Sequence, residues 1–257
     1  MKSAQFQLHA AIEESHWWFT AKRKILHSII SEFTPQNSGK RIVDIGCGTG
    51  ANIAALANEY ECTGIDPSAD SIDLAKKRFP HVQFQCGDAL RDFQDSIQKA
   101  DMILLTDVLE HIEDDRTFLT KLIGVMKPNA HLLITVPADI SMWSKHDEHF
   151  GHYRRYDRVS LEKQWQGLPV TSLLLSHFNS RLYPIIRSIR AMNRLLRRTS
   201  GKSGTDFCVP LKPVNFLLTQ IFAGETTRLL KEIKTPGQKD LPCGTSLMAV
   251  LRKNPTS

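Results

Sequence analysis

The decapeptide VDIGCGTGAN, residues 43–52, leaves few folds open to the chain. An apolar run, KRIVDIG, enters three glycines at alternate positions and passes at once into ANIAALANEY, which reads as a helix. Gly46, Gly48 and Gly50 thus mark a tight turn between a buried strand and a helix, where missing side chains let the backbone approach a ligand. The alternation continues. CTGID precedes a helix in SADSIDLAKKRF, VQFQCGD and ADMILLTDV flank a helical connection, and a helix in RTFLTKLIGVMK stops at Pro128 before the strand AHLLITVP. VTSLLLSHF and TSLMAVLR add two later strands, so the order predicts an α/β fold with a mostly parallel sheet of seven strands and helices on both faces. Ligands of such sheets lie outside the carboxyl ends of the strands.

Around this core, Ile25, Ile29 and Ile30 recur with helical spacing and the stretch ends at TPQNSG, which predicts an N-terminal helical cap over residues 1–38. The main domain is then 39–257, with a polar insertion near 138–160 that acts as a substrate lid and a basic helical insertion near 181–235. TSGKSGTD is the candidate mobile loop. A chain of 257 residues, 41% of them hydrophobic, suffices for one large core. The start shows no export or transit pattern, and no apolar run reaches the roughly 18 to 20 residues of a membrane span. Five scattered cysteines without a C-x-x-C pair suit a reducing cytoplasm, and neither a zinc site nor an iron–sulfur cluster has its ligand spacing, so no metal is expected.

The glycine turn admits two ligands. Gly46, Gly48 and Ala51 fit the G-x-G-x-x-G/A turn of an NAD-dependent dehydrogenase, while Gly46, Gly48 and Gly50 fit the G-x-G-x-G turn of an S-adenosylmethionine enzyme. Asp44 separates them, because a carboxylate repels a pyrophosphate and is compatible with a cationic amine and sulfonium. Asp66, ending the second strand, can accept hydrogen bonds from ribose hydroxyls of either ligand. Asp88 can take a bond from an adenine amino group, with the backbone of Ala89 beside it, and TDVLEH brings Thr106, Asp107 and His111 to the same rim.

In this order VDIGCGTG, GID, GDA, TDVLEH and MKPNAHLLITVP resemble the class I S-adenosylmethionine-dependent methyltransferases, most clearly over residues 40–137. The resemblance implies a Rossmann-like sheet whose last strand, GTSLMAVLR, is antiparallel, and S-adenosyl-L-methionine as cofactor. It also implies that Gly46, Gly48 and Gly50 approach the methionine part, Asp66 holds the ribose, and Asp88 with Ala89 holds the adenine. KPNA departs from the family's usual KPGG; Asn129 can adopt the same left-handed turn. HWWFTAKRKIL and DEHFGHYRRY resemble a bacterial branch of these enzymes, which implies an N-terminal helix closing over the donor. There Trp17, Trp18 and Phe19 would exclude water and Arg23 would meet the donor's carboxylate; the other reading of the aromatics is core packing.

For the acceptor, the candidate bases are His111, His146, His149 and His152, with His149 foremost. Tyr153, Arg154, Arg155 and Tyr156 suit a carboxylate, phosphate or sugar hydroxyl, or else the arginines pair with acids such as Asp147 and Glu148. TDVLEH lacks the D/N-P-P-Y pattern of base methylation, so no DNA is expected. The net charge of +6 concentrates in RLYPIIRSIRAMNRLLRR, residues 181–198, which has no acid; it is either a solvated helix face or a contact with anionic membrane. Together these features predict methylation of an oxygen or nitrogen on a small-molecule, sugar or lipid-linked acceptor, at the inner face of the membrane. The rival readings are a non-catalytic donor-binding module or partner subunit, and the dehydrogenase.

Overall fold

The computed structural model describes residues 3–196, 209–235 and 242–255; the expected loop TSGKSGTD lies outside them, as do Arg197 and Arg198. Its strands are β1 (Arg41–Ile45), β2 (Glu61–Asp66), β3 (Gln83–Cys86), β4 (Met102–Thr106), β5 (His131–Pro137), β6 (Val170–Phe178) and β7 (Ser246–Lys253). They form one sheet in the order β3-β2-β1-β4-β5-β7-β6. Strands β1 to β5 pair in parallel, and β7 runs antiparallel to both β5 and β6. The chain steps outward from β1 to β3 and returns to β4 on the other side of β1. That reversal opens a crevice at the carboxyl ends of β1 and β4.

Helices α1 (Ser3–Ile12) and α2 (Trp17–Phe33) precede the sheet, and α3 (Ala51–Ala54), α4 (Ala69–Arg78), α5 (Ala89–Asp92), α6 (Gln94–Lys99) and α7 (Asp115–Val125) connect its parallel strands. Between β5 and β6 lie α8 (Lys145–Phe150) and α9 (Arg158–Glu162); α10 (Tyr183–Leu195), α11 (Lys212–Ala223) and α12 (Thr226–Lys234) lie between β6 and β7.

All five residues of β4 are buried, because a strand alternates its side chains and both faces of this sheet are covered. Ile103 and Leu105 pack with Leu119, Leu122 and Ile123 of α7. Met102 and Leu104 pack on the opposite side with Ile25 and Ile29 of α2. Asp44 shares a strand with Ile42, two residues earlier, so it points to the α2 side. Among the described residues no helix is long and apolar enough to cross a membrane.

Two elements differ from the sequence reading. The helix expected through ANIAALANEY ends at Ala54, and tight turns follow, with Leu56 N donating to Ile53 O and Ala57 N to Ala54 O. Asn37 N bonds Glu59 O and Tyr60 Oη bonds Thr34 O, which ties this segment to the end of α2 and turns it into β2. The expected single helix around VNFLLTQIFAGETTRLLKEI is two, broken at Gly224 and Glu225. Buried Glu225 accepts the backbone N–H groups of Ser180 and Arg181, each at 2.8 Å, so its side chain holds the exit of β6. Asn129 takes the expected left-handed conformation, φ 63°.

Candidate active site

The crevice deepens into a cavity of about 920 Å³ beneath α1 and α2. The glycine turn forms one wall, with φ of 75°, 54° and 89° at Gly46, Gly48 and Gly50, conformations that L side chains rarely adopt. A Cβ at Gly46 would lie 2.6 Å from Val108, and one at Gly50 2.7 Å from Phe84, so these two glycines serve close packing. A Cβ at Gly48 would meet nothing within 4 Å: that glycine leaves open space along the cavity.

The acids at the strand ends are already engaged. Asp66 Oδ2 accepts the Gly48 N–H at 2.9 Å, while Oδ1 accepts Ser68 N and Ser71 Oγ at 2.8 and 2.9 Å. Three bonds leave a carboxylate room for roughly one more donor. Asp88 caps α5, Oδ1 accepting the N–H groups of Leu90 and Arg91, and stands at the cavity wall with Ala89. Thr106 Oγ1 accepts Asn52 Nδ2 at 3.2 Å. Asp107, φ 59°, receives Thr135 Oγ1 on one oxygen and Lys22 Nζ on the other, at 3.0 and 2.5 Å.

Lys22 is the cation that sequence reasoning missed. Its side chain is 2% exposed, it lines the cavity, and its Nζ sits 4.9 Å from the Trp18 ring. Arg23, expected to face the donor, does not line the cavity; it turns toward Glu13, Glu14 and Arg78, and burial lowers its pKa. The stripe of α2 explains the choice, since Ile25, Leu26 and Ile29 count back by three, four and seven residues to 22.

Asp44, also expected at the donor, does not line the cavity. It is 1% exposed and both its carboxyl oxygens lack hydrogen-bond partners. Burial pushes its pKa up to about 8, Lys22 opposing and Asp66 and Asp107 adding to the rise. In the unfolded chain the same group ionises near about 3.9. Between these values the native state holds a proton that the unfolded state has lost, so this group's contribution to stability falls as pH rises, by about 1.4 kcal/mol per pH unit. Asp44→Asn removes the dependence. In urea unfolding, the variant's stability relative to wild type is expected to grow steadily between about pH 5 and pH 7.5; a constant difference would show that the native carboxyl is ionised.

Trp17, Trp18 and Phe19 all line the cavity, and Phe6 and His9 of α1 with Glu13 just after it join the same roof. Trp17 and Trp18 also pack on the α2-side core, so covering the cavity and filling the core are both their work. Trp17 N donates to Asn215 Oδ1 of α11 at 2.8 Å. Glu13, buried, accepts Thr49 Oγ1 at 2.6 Å and pairs with Arg78, which fastens the end of the α1 segment to α4.

On the far wall the histidines divide. His111 and His152 line the cavity with ring centroids 4.7 Å apart, and His146 lines it beside Phe150. His149, the foremost base by sequence, is exposed on α8 and does not line the cavity. Burial lowers the His111 pKa to about 4, with His152 as the next cause, and burial also holds His146 well below the ordinary imidazole range.

Of the four residues expected to grip an acceptor, only Arg155 lines the cavity. A buried guanidinium needs partners, and it has them in Asp147, through Nε at 2.8 Å and Nη2 at 3.1 Å, and in the Ala138 carbonyl. Arg154 pairs with Asp115 at 2.8 Å and bonds the Glu113 carbonyl, and buried Tyr156 donates to Asp115 Oδ2 at 2.6 Å. Both therefore brace the insertion against α7, while Tyr153 is 55% exposed. Their correction has one cause: neighbours on an extended chain point to opposite sides, so four consecutive residues cannot share one wall. Glu110, which no sequence argument singled out, lies 1% exposed between the two groups with Oε2 unpartnered.

The family model of a methyltransferase domain matches residues 17–168. The ubiquinone biosynthesis O-methyltransferase of Coxiella burnetii is 30% identical over 131 residues, 46% of this chain and 56% of its own. The norajmaline N-methyltransferase of Rauvolfia serpentina is 32% identical over 109 residues, 39% of this chain and 37% of its own. The chain thus spans little more than half the length of the first of these curated relatives. The plantazolicin methyltransferase BpumL in complex with SAH superposes with a TM-score of 0.59 at 17% identity, over 98% of this chain and 90% of that one, a likeness of fold. From the aromatic roof through the glycine turn to the segment after α9, more than half of the sequence falls within one match, and the chain belongs to the methyltransferase-domain family.

Proposed function

We propose that the protein is an S-adenosyl-L-methionine-dependent methyltransferase acting on an oxygen or nitrogen of a small amphiphilic or lipid-linked acceptor. One observation carries the reading: a single cavity joins the glycine wall to the Glu110, His111 and His152 wall under an aromatic roof. The residues present suit the donor. Gly48 leaves the wall clear, Asp66 has acceptor capacity left for a ribose hydroxyl, Asp88 and Ala89 suit adenine, and Lys22 answers a carboxylate in place of Arg23. S-adenosylmethionine supplies a methyl carbon already activated by its sulfonium. The protein's part is to exclude water, align the acceptor and deal with its proton. Glu110, His111 and His152 are the polar groups available for that proton, and their presence favours an enzyme over a non-catalytic binding module. The family match weighs against the dehydrogenase reading.

Relatives named for O- and N-methylation of small molecules support this acceptor class. The cavity mouth supports an amphiphile: Ile185 and Ile189 of α10 line it while 61% and 41% exposed, and Met192 continues the same face at 55%. Phe216 and Leu217 of α11 add apolar surface at 66% and 57%. With Arg181, Arg187 and Arg194 in the same region, the surface suits lipid phosphates above acyl chains, as expected from residues 181–198. The HWWF and GHYRRY motifs and the unpaired thiols of Cys47, Cys62, Cys86 and Cys243 fit a bacterial enzyme at the cytoplasmic face of that membrane. Flotation with phosphatidylglycerol vesicles at low salt is expected to carry the protein up, and Ile185→Glu to abolish it; equal flotation of both would remove this surface.

The direct test is calorimetric titration with S-adenosylhomocysteine. Saturable binding is expected, weakened at least tenfold by Gly48→Ala, whose Cβ enters the cavity and whose left-handed φ costs about 1 kcal/mol. Failure of the wild-type protein to bind would overturn the donor assignment.

A further inference from the structure

The Glu110, His111 and His152 wall is built in a way that proton transfer alone does not require. Its three donor atoms, one carboxylate oxygen and two imidazole nitrogens, lie within 4.8 Å of one another. Glu110 Oε2 is buried and has no hydrogen-bond partner. The His152 ring is held from behind, its Nδ1 3.0 Å from Asp147 Oδ1, and the His111 ring packs edge-on against it with centroids 4.7 Å apart. Asp147 is itself fully buried, locked by its two bonds from the Arg155 guanidinium and by the N–H of Ser144. An ionised carboxylate on Nδ1 fixes the tautomer that leaves Nε2 bare, the usual outer support of a metal-bound histidine. A backbone bond from Tyr153 N to Glu110 O, 2.7 Å, clamps the two segments that carry the donors.

We propose that Glu110, His111 and His152 bind one divalent first-row transition-metal cation, which receives the acceptor's hydroxyl oxygen at an open position facing the cavity. One carboxylate and two imidazoles suit zinc, cobalt, iron or manganese. Ligand atoms about 2.1 Å from such an ion stand roughly 3.4 Å apart in a tetrahedron, so the wall must close by about an ångström. The two nearby cations are neutralised locally, Lys22 by Asp107 and Arg155 by Asp147. The inference rests on the cavity being an acceptor site and selects hydroxyl acceptors within that class. A cation lowers the pKa of a bound hydroxyl. The hydroxyl then releases its proton to solvent, its oxygen forms the bond to the methyl carbon, and the carbon–sulfur electron pair stays on sulfur.

The test uses untagged, chelator-stripped protein titrated with Co²⁺ and followed by visible absorption and calorimetry. One ion per chain is expected, with at least tenfold weaker binding in His111→Ala, His152→Ala and the near-isosteric Glu110→Gln, and no change in His149→Ala. No saturable Co²⁺ binding, or binding unchanged in all three variants, overturns the site. Parallel titration with S-adenosylhomocysteine separates the claims: if the wild type binds Co²⁺ alone the donor assignment fails, and if it binds the nucleoside alone the metal site fails.

Discussion

Lys22→Met is expected to destabilise the protein by about 3 kcal/mol, because removing one member of a buried ion pair leaves the other charge without compensation. The Lys22 side chain is 2% exposed and that of Asp107 31%, so water offsets part of the loss and places it toward the lower end of the usual range. The consequence extends past one pair. Asp44 and Glu110 lie near the same cation, which opposes the rise of both their pKa values, so its loss makes these buried carboxyls still harder to ionise. S-adenosylhomocysteine affinity is expected to drop by at least 10-fold. Urea unfolding of Lys22→Met, Asp107→Asn and the double variant measures the coupling, expected above about 1 kcal/mol; strictly additive losses would show that the pair contributes nothing.

Asp147→Asn should act on both stability and turnover. Its carboxylate joins Arg155, His152 and Ser144 in one buried knot, and neutralising it leaves the guanidinium, 3% exposed, without a counter-charge. A cost of about 3 to 5 kcal/mol follows. Because its carboxyl is held well below the ordinary range, this contribution is present at neutral pH and disappears as pH falls below that range. His152 also loses its orienting partner, which predicts a further fall in kcat of about 10- to 100-fold on any acceptor found. His152→Ala separates the two effects: it leaves the Arg155 pair intact, so kcat should collapse while the unfolding midpoint moves little. A large loss of stability in His152→Ala would show instead that the ring is structural.

The sequence by itself determined the sheet and the glycine turn at the end of its first strand. Every strand was legible because burial on one or both faces imposes a two-residue or continuous apolar pattern, as in MILLT, and the glycines of the turn were legible because three left-handed residues in so short a run favour glycine. These are local requirements, written in consecutive residues. The acceptor wall was not local. Glu110 and His111 come from one connection and His152 from another forty residues on, and only the fold lays them together. His149 and His152 are equivalent as sequence; the helix that exposes one and the bond from Asp147 that turns the other inward are tertiary facts. The same distinction separates Lys22 from Arg23, neighbours whose different fates follow from a 100° step around a helix and from what each direction meets. Chemistry carried by chain neighbours could be read in advance. Charges drawn from distant segments could be assigned only once packing had decided which of them lose water together.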